Sequence, residues 1–159
     1  MSSIDAGTTS STEMEELSTI DMALEVVTVP VSDVDRAKRF YQSLGWRLDI
    51  DLVVSDDFRQ VQMTPPHSQC SIHFGKGITA MEPGSLDRLY LAVKDIDAAR
   101  KDLASRGVDV TEVEEQPKPP GFDLPGRSYF AYASFSDPDG NGWVLQEVTT
   151  RLPGRTWDE

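Results

Sequence analysis

The stretch VPVSDVDRAKRFYQSLG, residues 29–45, decides the fold. A run rich in β-branched residues, from Leu24 to Val31, leads into it and predicts a strand. Ser32 and Asp33 then offer a helix N-cap, after which apolar residues recur at helical spacing at Val34, Ala37, Phe40, Tyr41 and Leu44. Gly45 stands where a helix C-cap belongs. The stretch therefore predicts a strand that feeds directly into a helix.

The same pattern returns 62 residues later, in VKDIDAARKDLASRG at residues 93–107. Asp33 then matches Asp95 at the helix start, and Gly45 matches Gly107 at the helix end. Further identical pairs at this offset are Val31 with Val93, Asp35 with Asp97, Ala37 with Ala99, Ser43 with Ser105, and Leu24 with Leu86. Such a repeat predicts two copies of one supersecondary unit, neither of which is large enough to bury a core alone.

Each copy is predicted as β-α-β-β-β, which makes the chain an α+β domain. The remaining strands are predicted at about 46–53, 59–63 and 69–74 in the first copy, and at about 86–93, 108–113, 130–135 and 143–149 in the second. The turn DPDGNG at 137–142 joins the last two. Two sheets that curl toward each other would enclose a cleft, and ligand sites favour such interfaces.

The domain boundaries follow from composition. Residues 1–20 are rich in Ser, Thr, Glu and Asp and are predicted to form a disordered acidic arm. We expect a single domain over 21–150, with module one at 22–78 and module two at 84–150, and a C-terminal tail at 151–159. The Pro-rich and Gly-rich stretch from Glu114 to Arg127 is predicted as a loop, either a lid over the pocket or a plain surface connection.

Composition narrows the function classes. The net charge of −12 argues against a nucleic-acid partner, because phosphate binding needs clustered Lys and Arg. No apolar stretch is long enough for a membrane span, and no secretory signal is visible, so we expect a cytoplasmic protein. The single cysteine, Cys70, excludes an intrachain disulfide framework, and no base is predicted beside it for a nucleophilic role.

Two segments together with the repeat resemble the vicinal oxygen chelate superfamily, which includes glyoxalases, bleomycin-resistance proteins and extradiol dioxygenases. Residues 29–45 look like the first strand and helix of that family, and FSDPDGNGWVLQ at 135–146 looks like its closing hairpin. The similarity runs from about Leu24 to Thr149. It implies paired βαβββ modules that form an open, U-shaped mixed β-sheet around a small-molecule site, often in a homodimer.

In the metal-using members of that family, four side chains on the first and last strands of each module hold a divalent cation. The resemblance carries those positions onto Val26, His73, Arg88 and Val144. Valine has no lone pair to offer, and a guanidinium repels a cation. His67 and Glu147 would have to reach in from elsewhere, and Glu147 has the wrong strand parity. We therefore expect no metal and no other cofactor.

Strand alternation predicts what lines the cleft instead. The expected ligand-binding residues are Val26, Thr28, Arg88, Tyr90, Val144 and Gln146, together with Tyr129. Arg88 could anchor a carboxylate, phosphate or enolate, or it could form an ion pair with Asp87 or Glu25. His73 is the candidate catalytic acid or base, and the alternative is a half-buried histidine bonded to a neighbour.

The aromatic residues leave a similar choice. Tyr90, Tyr129 and Tyr132 could stack on an aromatic ligand or could be packing residues. Trp46 and Trp143 are predicted to lie in the core.

Two main functions follow. The first is a metal-free protein that binds a small aromatic or acidic organic molecule, as the family's drug-resistance members do. The second is an enzyme, a lyase, isomerase or dioxygenase, which acts through unrecognised metal ligands or through His73 and Arg88. An interaction role through the acidic arm is a third possibility. We expect a homodimer whose site lies within one chain or is completed by the second copy.

Overall fold

The structure is a computed structural model that describes residues 16–157. Its two helices begin and end where the repeat predicts. Helix α1 spans Val34–Ser43, and the Asp33 carboxylate caps it by accepting a hydrogen bond from the Arg36 backbone N–H at 3.0 Å. Helix α2 spans Ile96–Ser105, with Asp95 accepting from the Ala98 N–H at 3.0 Å. Beyond the helices, Gly45 and Gly107 take φ values of 86° and 87°, which favour glycine.

The strands form two sheets with the same topology. In sheet 1 the order is β1-β4-β3-β2, and in sheet 2 it is β5-β8-β7-β6; the first pair of each sheet is parallel and the others are antiparallel. The bounds are Val26–Thr28 (β1), Arg47–Ser55 (β2), Phe58–Thr64 (β3), Ser71–Lys76 (β4), Leu89–Val93 (β5), Glu114–Glu115 (β6), Ala131–Ser136 (β7) and Gly142–Glu147 (β8). The predicted α+β fold of two βαβββ modules is confirmed.

Two strands of module two differ from the prediction. β5 begins at Leu89 rather than at Leu86, because Leu86 is held by the Asn141 side chain and the Gly142 N–H and Arg88 turns to a φ of 65°. The strand predicted at about 108–113 is observed as β6 at Glu114–Glu115. The Thr111 backbone N–H still donates to the Ser134 carbonyl of β7 at 2.9 Å, but the Ser134 N–H donates to the Thr111 hydroxyl, and the Thr111 carbonyl accepts from the Arg100 guanidinium.

The two modules share one hydrophobic core, and Tyr41 of α1 stands at their junction. Its ring packs on Phe74 of sheet 1, on Trp46 before β2, and on Trp143 of sheet 2, with centroid distances of 5.7, 5.1 and 6.1 Å. Its hydroxyl donates to the Asp137 carboxylate at 2.8 Å and accepts from the Trp143 indole N–H at 3.0 Å. Both tryptophans are buried, as predicted.

The turn between β7 and β8 fastens module two to module one. The Asn141 side-chain amide donates to the Pro30 carbonyl at 2.8 Å, and Asp139 accepts from the Ser32 hydroxyl at 2.6 Å. Gly84 approaches this turn so closely that an added Cβ would lie 2.0 Å from the Asp139 carbonyl oxygen, and its φ is 81°. A side chain at residue 84 would therefore clash with the docked turn.

The loop that precedes β7 is anchored rather than loose at its C-terminal end. Arg127 pairs with Asp97, Glu115 and the buried Glu147 at 2.8, 3.2 and 2.7 Å. Phe122 packs edge-on against Phe130, with ring centroids 4.7 Å apart.

The C-terminal end of the chain packs back beside the end of β8. Residues 151–157 follow β8, and the Trp157 indole donates to the Val148 carbonyl at 2.9 Å. Most of the predicted acidic arm, residues 1–15, lies outside the described residues. Within residues 16–157, neither helix has the length and apolarity to cross a membrane.

Candidate functional site

The first group of predicted site residues lies on one face of sheet 1. In the parallel pair β1–β4, Thr28 stands opposite His73 and Val26 stands opposite Ser71. Their chain neighbours Ile72 and Phe74 point to the core. Because side chains alternate along a strand, Val26, Thr28 and His73 share the face that points away from the core.

His73 has a hydrogen-bond partner at each ring nitrogen. Its Nε2 lies 2.7 Å from the Thr28 hydroxyl, and its Nδ1 lies 3.1 Å from the side-chain nitrogen of Gln60 on β3. Burial lowers the pKa of His73, which favours the neutral ring. The arrangement corresponds to the strand histidine bonded to its neighbours; the catalytic role stays a prediction.

A second polar group continues this face toward the edge of the sheet. The Thr64 hydroxyl lies 2.7 Å from the Ser71 hydroxyl and also donates to the Asp49 carboxylate. Beside it, Ile50 and Leu52 of the edge strand β2 stand opposite Gln62 and Gln60 and are 40% and 48% exposed. The face therefore has a hydrogen-bonded polar floor and an apolar rim.

The second group of predicted site residues lies on sheet 2. Arg88 donates through Nη2 to the Tyr90 hydroxyl at 2.5 Å, and its guanidinium carbon lies 5.4 Å from the Tyr90 ring centroid. No ion pair within the described range 16–157 involves Arg88, so the pairing with Asp87 or Glu25 is not formed there. Its charge is available to a ligand.

Three further predicted residues frame Arg88 and Tyr90. Val144 stands opposite Tyr90 in the β5–β8 pair and is only 3% exposed. The Gln146 side chain donates to the Tyr129 carbonyl at 3.1 Å. Tyr129 has a φ of 72°, and its hydroxyl accepts from the Leu152 N–H at 3.0 Å. Gln146 is thus fixed in place by the turn that contains Tyr129.

A surface cavity of about 470 Å³ opens at the end of sheet 2 where Arg88 and Val144 lie. Hydroxyl side chains line it alongside Arg88, and aromatic side chains form part of its wall; the lining includes Phe40, Thr111, Ser134, Ser136 and Trp143. This mixture suits a small molecule with an apolar body and polar substituents.

The strand pairing of the two modules can be compared at the positions that the family resemblance assigns to metal ligands. Thr28 stands opposite His73, and Tyr90, which lies 62 residues after Thr28, stands opposite Val144. His73 and Val144 are therefore equivalent, as expected. Val26 and Arg88 correspond by the 62-residue offset, while Arg88 precedes β5 and lies outside its register.

The residues at these positions do not fit a divalent cation. Of the four side chains, only that of His73 could donate an electron pair to a metal. Its two ring nitrogens already contact Thr28 and Gln60. Across residues 16–157, no group of three or more His, Cys, Asp and Glu side chains is placed to hold an ion.

The two remaining candidate ligands are placed elsewhere. Glu147 faces α2, where its carboxylate accepts from the Ile96 backbone N–H at 3.0 Å and from Arg127 at 2.7 Å. His67 is exposed in the turn between β3 and β4 with a φ of 64°. Burial and, less strongly, Glu25 raise the pKa of Cys70, which disfavours its thiolate.

The two groups of site residues do not meet within one chain. Phe74 of sheet 1 and Trp143 of sheet 2 both pack on Tyr41. Because side chains alternate along a strand, their chain neighbours His73 and Val144 each project from the other face of their own sheet, away from Tyr41. None of the hydrogen bonds described for residues 16–157 joins the sheet 1 group to the sheet 2 group. We call these two separate groups the sheet 1 half-site and the sheet 2 half-site.

Sequence reasoning missed several polar members of the sheet 1 half-site, namely Asp49, Gln60, Gln62 and Thr64. The alternation of polar and apolar residues in RQVQMT at 59–64 was the signal that could have identified Gln60 and Gln62. Asp49 reaches Thr64 only because β2 shifts register between Leu48 and Ile50.

Comparison with known proteins bears on what these half-sites do. The family model described as Glyoxalase/Bleomycin resistance protein/Dioxygenase superfamily matches residues 23–145. The crystal structure of TnmS3, an antibiotic binding protein from Streptomyces sp. CB03234, is 34% identical, with 83% of this chain and 99% of that chain covered and a TM-score of 0.62.

Two further structures show the same relationship. A glyoxalase/bleomycin resistance protein from Streptomyces sp. CB03234 is 34% identical over 78% of this chain and 99% of that chain, with a TM-score of 0.59. A superfamily member from Sphaerobacter thermophilus DSM 20745 is 30% identical over 80% of this chain and 98% of that chain, with a TM-score of 0.64. No curated protein matches the chain.

Proposed function

We propose that this chain, which belongs to the glyoxalase/bleomycin resistance protein/dioxygenase superfamily, binds a small aromatic or acidic organic molecule reversibly and without a metal ion. One observation carries the proposal. The strand register makes His73 equivalent to Val144, and the 62-residue offset makes Val26 equivalent to Arg88, so these four residues occupy the positions that the resemblance assigns to the ligands of a cation. Only one of the four has a lone pair for a metal, while the unpaired cation of Arg88 suits an anionic ligand.

The comparison with TnmS3 supports a binding role. That protein is described as an antibiotic binding protein, and the match covers nearly all of its chain. The apolar rim and polar floor of sheet 1 and the aromatic cavity of sheet 2 fit an organic molecule of the same general kind. We place this activity in the cytoplasm, with no nucleic-acid or membrane partner.

The complete site, in this proposal, forms between two copies of the chain. Each copy carries both half-sites, but they face away from the shared core. The chain also exposes apolar side chains along the whole of β2, including Leu48, Ile50, Leu52, Val53 and Val54, and Tyr90 on sheet 2 is 48% exposed. A two-fold homodimer would set sheet 1 of one copy against sheet 2 of the other, and it would do so at two equivalent places, so that these apolar side chains are buried in both copies.

The proposal is tested first by binding without turnover. The purified protein is screened by isothermal titration calorimetry against aromatic carboxylates and antibiotic-like polycyclic compounds, and each bound compound is recovered and analysed by mass spectrometry. We expect saturable binding and unchanged compound. A product of altered mass that forms in proportion to enzyme and time would instead establish the lyase, isomerase or dioxygenase alternative.

The dimeric site is tested by mixing two defective proteins. His73→Ala damages only the sheet 1 half-site, and Arg88→Ala damages only the sheet 2 half-site. If each site takes one half from each copy, a statistical mixture of the two variants regains about a quarter of the intact sites. Co-expression with two different tags isolates the mixed dimers, in which half of the sites should then be intact. A mixture that binds no better than either variant would show that each site lies within one chain.

A further inference from the structure

The hydrogen bonds around Thr28 have a fixed direction. The Gln60 side-chain nitrogen can only donate, so Nδ1 of His73, 3.1 Å away, must accept and carries no proton. The neutral ring then has its proton on Nε2 and donates it to the Thr28 hydroxyl oxygen at 2.7 Å. The Thr28 hydroxyl oxygen therefore accepts a hydrogen bond from His73, and its own hydroxyl proton must point in another direction.

The same argument applies to Tyr90. A guanidinium has donors and no acceptor, so Arg88 Nη2 donates to the Tyr90 hydroxyl oxygen at 2.5 Å. The phenolic proton then has no acceptor among the described residues 16–157, and Tyr90 is half exposed. Tyr90 stands opposite Val144 in the ladder, and Val144 and Arg88, but not Tyr90 itself, line the cavity.

Thr28 and Tyr90 are related by the 62-residue repeat and stand at equivalent positions of β1 and β5. The hydroxyl of each accepts a hydrogen bond from a residue at one of the positions that the family resemblance assigns to metal ligands. That residue is His73 in module one and Arg88 in module two. We propose that Thr28 and Tyr90 form a matched pair of hydroxyl donors that bind acceptor oxygens of the ligand, one from each half-site. Within the aromatic molecules of the proposed function, the ligand class is then one that carries carbonyl or other acceptor oxygens at both ends.

The Thr111 and Tyr129 hydroxyls also accept from N–H donors, those of Ser134 and Leu152, but neither residue lies on β1 or β5. The hydroxyls of Tyr132, Thr64 and Ser71 on the same faces do not have this property. The Tyr132 hydroxyl donates to the Tyr129 carbonyl at 2.7 Å, and the Thr64 and Ser71 hydroxyls bond to each other. Their protons are already used. A hydroxyl that accepts from an N–H donor also becomes a stronger donor itself, because chained hydrogen bonds polarise one another.

This inference rests on the proposed binding function, and its test keeps the two apart. The probes are 2,6-diacetylnaphthalene, which has an acceptor oxygen at each end, and 2,6-diethylnaphthalene, which has the same shape and no acceptor. Both are neutral, so the charge of Arg88 does not decide the comparison. Affinity is measured by the change in naphthalene fluorescence for the full-length protein and for Thr28→Val and Tyr90→Phe, with Thr149→Val, an exposed threonine on neither face, as the control.

We expect the wild-type protein to prefer the diacetyl probe. Each of Thr28→Val and Tyr90→Phe should weaken diacetyl binding by about 3- to 10-fold and leave diethyl binding unchanged, since each removes one neutral hydrogen bond. The control should bind both probes as the wild type does. If both probes bind and neither substitution separates them, the hydroxyl pair is wrong while the binding function stands. If the wild type binds neither naphthalene, the inference fails together with the proposed binding of aromatic molecules.

Discussion

Replacing Tyr41 by Phe tests how the two modules are joined. The side chain is fully buried, with 0% exposure, and its hydroxyl is the polar centre of the junction. It donates to the Asp137 carboxylate at 2.8 Å and accepts from the Trp143 indole at 3.0 Å. Burial, with Asp137 adding to it, raises the pKa of Tyr41 far above its usual value, so the phenol stays protonated and able to donate.

The size of the effect follows from what each partner loses. Trp143 is left with a buried N–H and no acceptor, which costs about 1–3 kcal/mol. Asp137 keeps three donors, the Asp139 N–H, the Asn141 N–H and the Asn141 side-chain amide, so its loss is smaller. The phenylalanine ring preserves the packing. We therefore expect the free energy of unfolding to fall by about 2–3 kcal/mol, which lowers Tm by roughly 5–10 °C for a chain of this length.

The assay is urea unfolding followed by tryptophan fluorescence, with thermal unfolding beside it. Tyr90→Phe is the matched control, because it removes the same atom from a tyrosine that is half exposed on a sheet face. It should unfold within about 0.5 kcal/mol of the wild type. A Tyr41→Phe protein as stable as this control would refute the view that a buried hydrogen-bond network joins the modules.

Two further perturbations follow from buried polar groups. Because burial lowers the pKa of His73, the unfolded chain binds the extra proton more readily than the folded protein does. The stability contribution is retained above about pH 6.5 and lost as the pH falls through the folded-state pKa. The stability difference between wild type and His73→Gln should therefore shrink from pH 7.5 to pH 5.0 in urea titrations, and a difference independent of pH would contradict the assignment. Arg127→Gln leaves the buried Glu147 carboxylate without its cation and should lower the free energy of unfolding by about 2 kcal/mol. Arg47→Gln, which breaks an exposed pair with Asp49, should change unfolding little, and equal effects of the two substitutions would show that burial of Glu147 does not matter.

Local signals in the sequence predicted the helices and the module topology well. Asp33 and Asp95 cap their helices, and Gly45 and Gly107 end them, because capping and left-handed conformations depend on the residue itself and its nearest neighbours. The match of residues 72–74 with residues 143–145 also aligned His73 with Val144 correctly, since the two copies share one strand register.

Other features depend on distant parts of the chain and could not be predicted. Arg88 takes a left-handed conformation beside a segment that Asn141 and Gly142 hold, more than 50 residues away in sequence. The strand predicted at 108–113 is reduced to single bonds with β7, because the Thr111 hydroxyl takes the Ser134 N–H and Arg100 on α2 takes the Thr111 carbonyl. Neither contact produces a periodic pattern in the sequence from which it could have been predicted.

The candidate site shows the same division. Alternation placed Val26, Thr28 and His73 on one face of sheet 1, and Tyr90, Val144 and Gln146 on one face of sheet 2, but it could not show that the two faces turn away from a shared core. That property depends on how Tyr41 packs against both modules. The proposal that a second copy completes the site therefore rests on tertiary packing and not on any local pattern.

The most direct test of the account is whether ligand binding needs a metal. Protein purified without added metal is treated with a chelator, its zinc, nickel, manganese and iron contents are determined by elemental analysis, and its affinity for 2,6-diacetylnaphthalene is measured before and after each metal is restored. If Val26, Arg88 and Val144 have replaced the metal ligands, the stripped protein should bind the probe with unchanged affinity, and restored metal should not remain at stoichiometric amounts. A metal retained at about one ion per site, whose removal abolishes binding, would contradict the account.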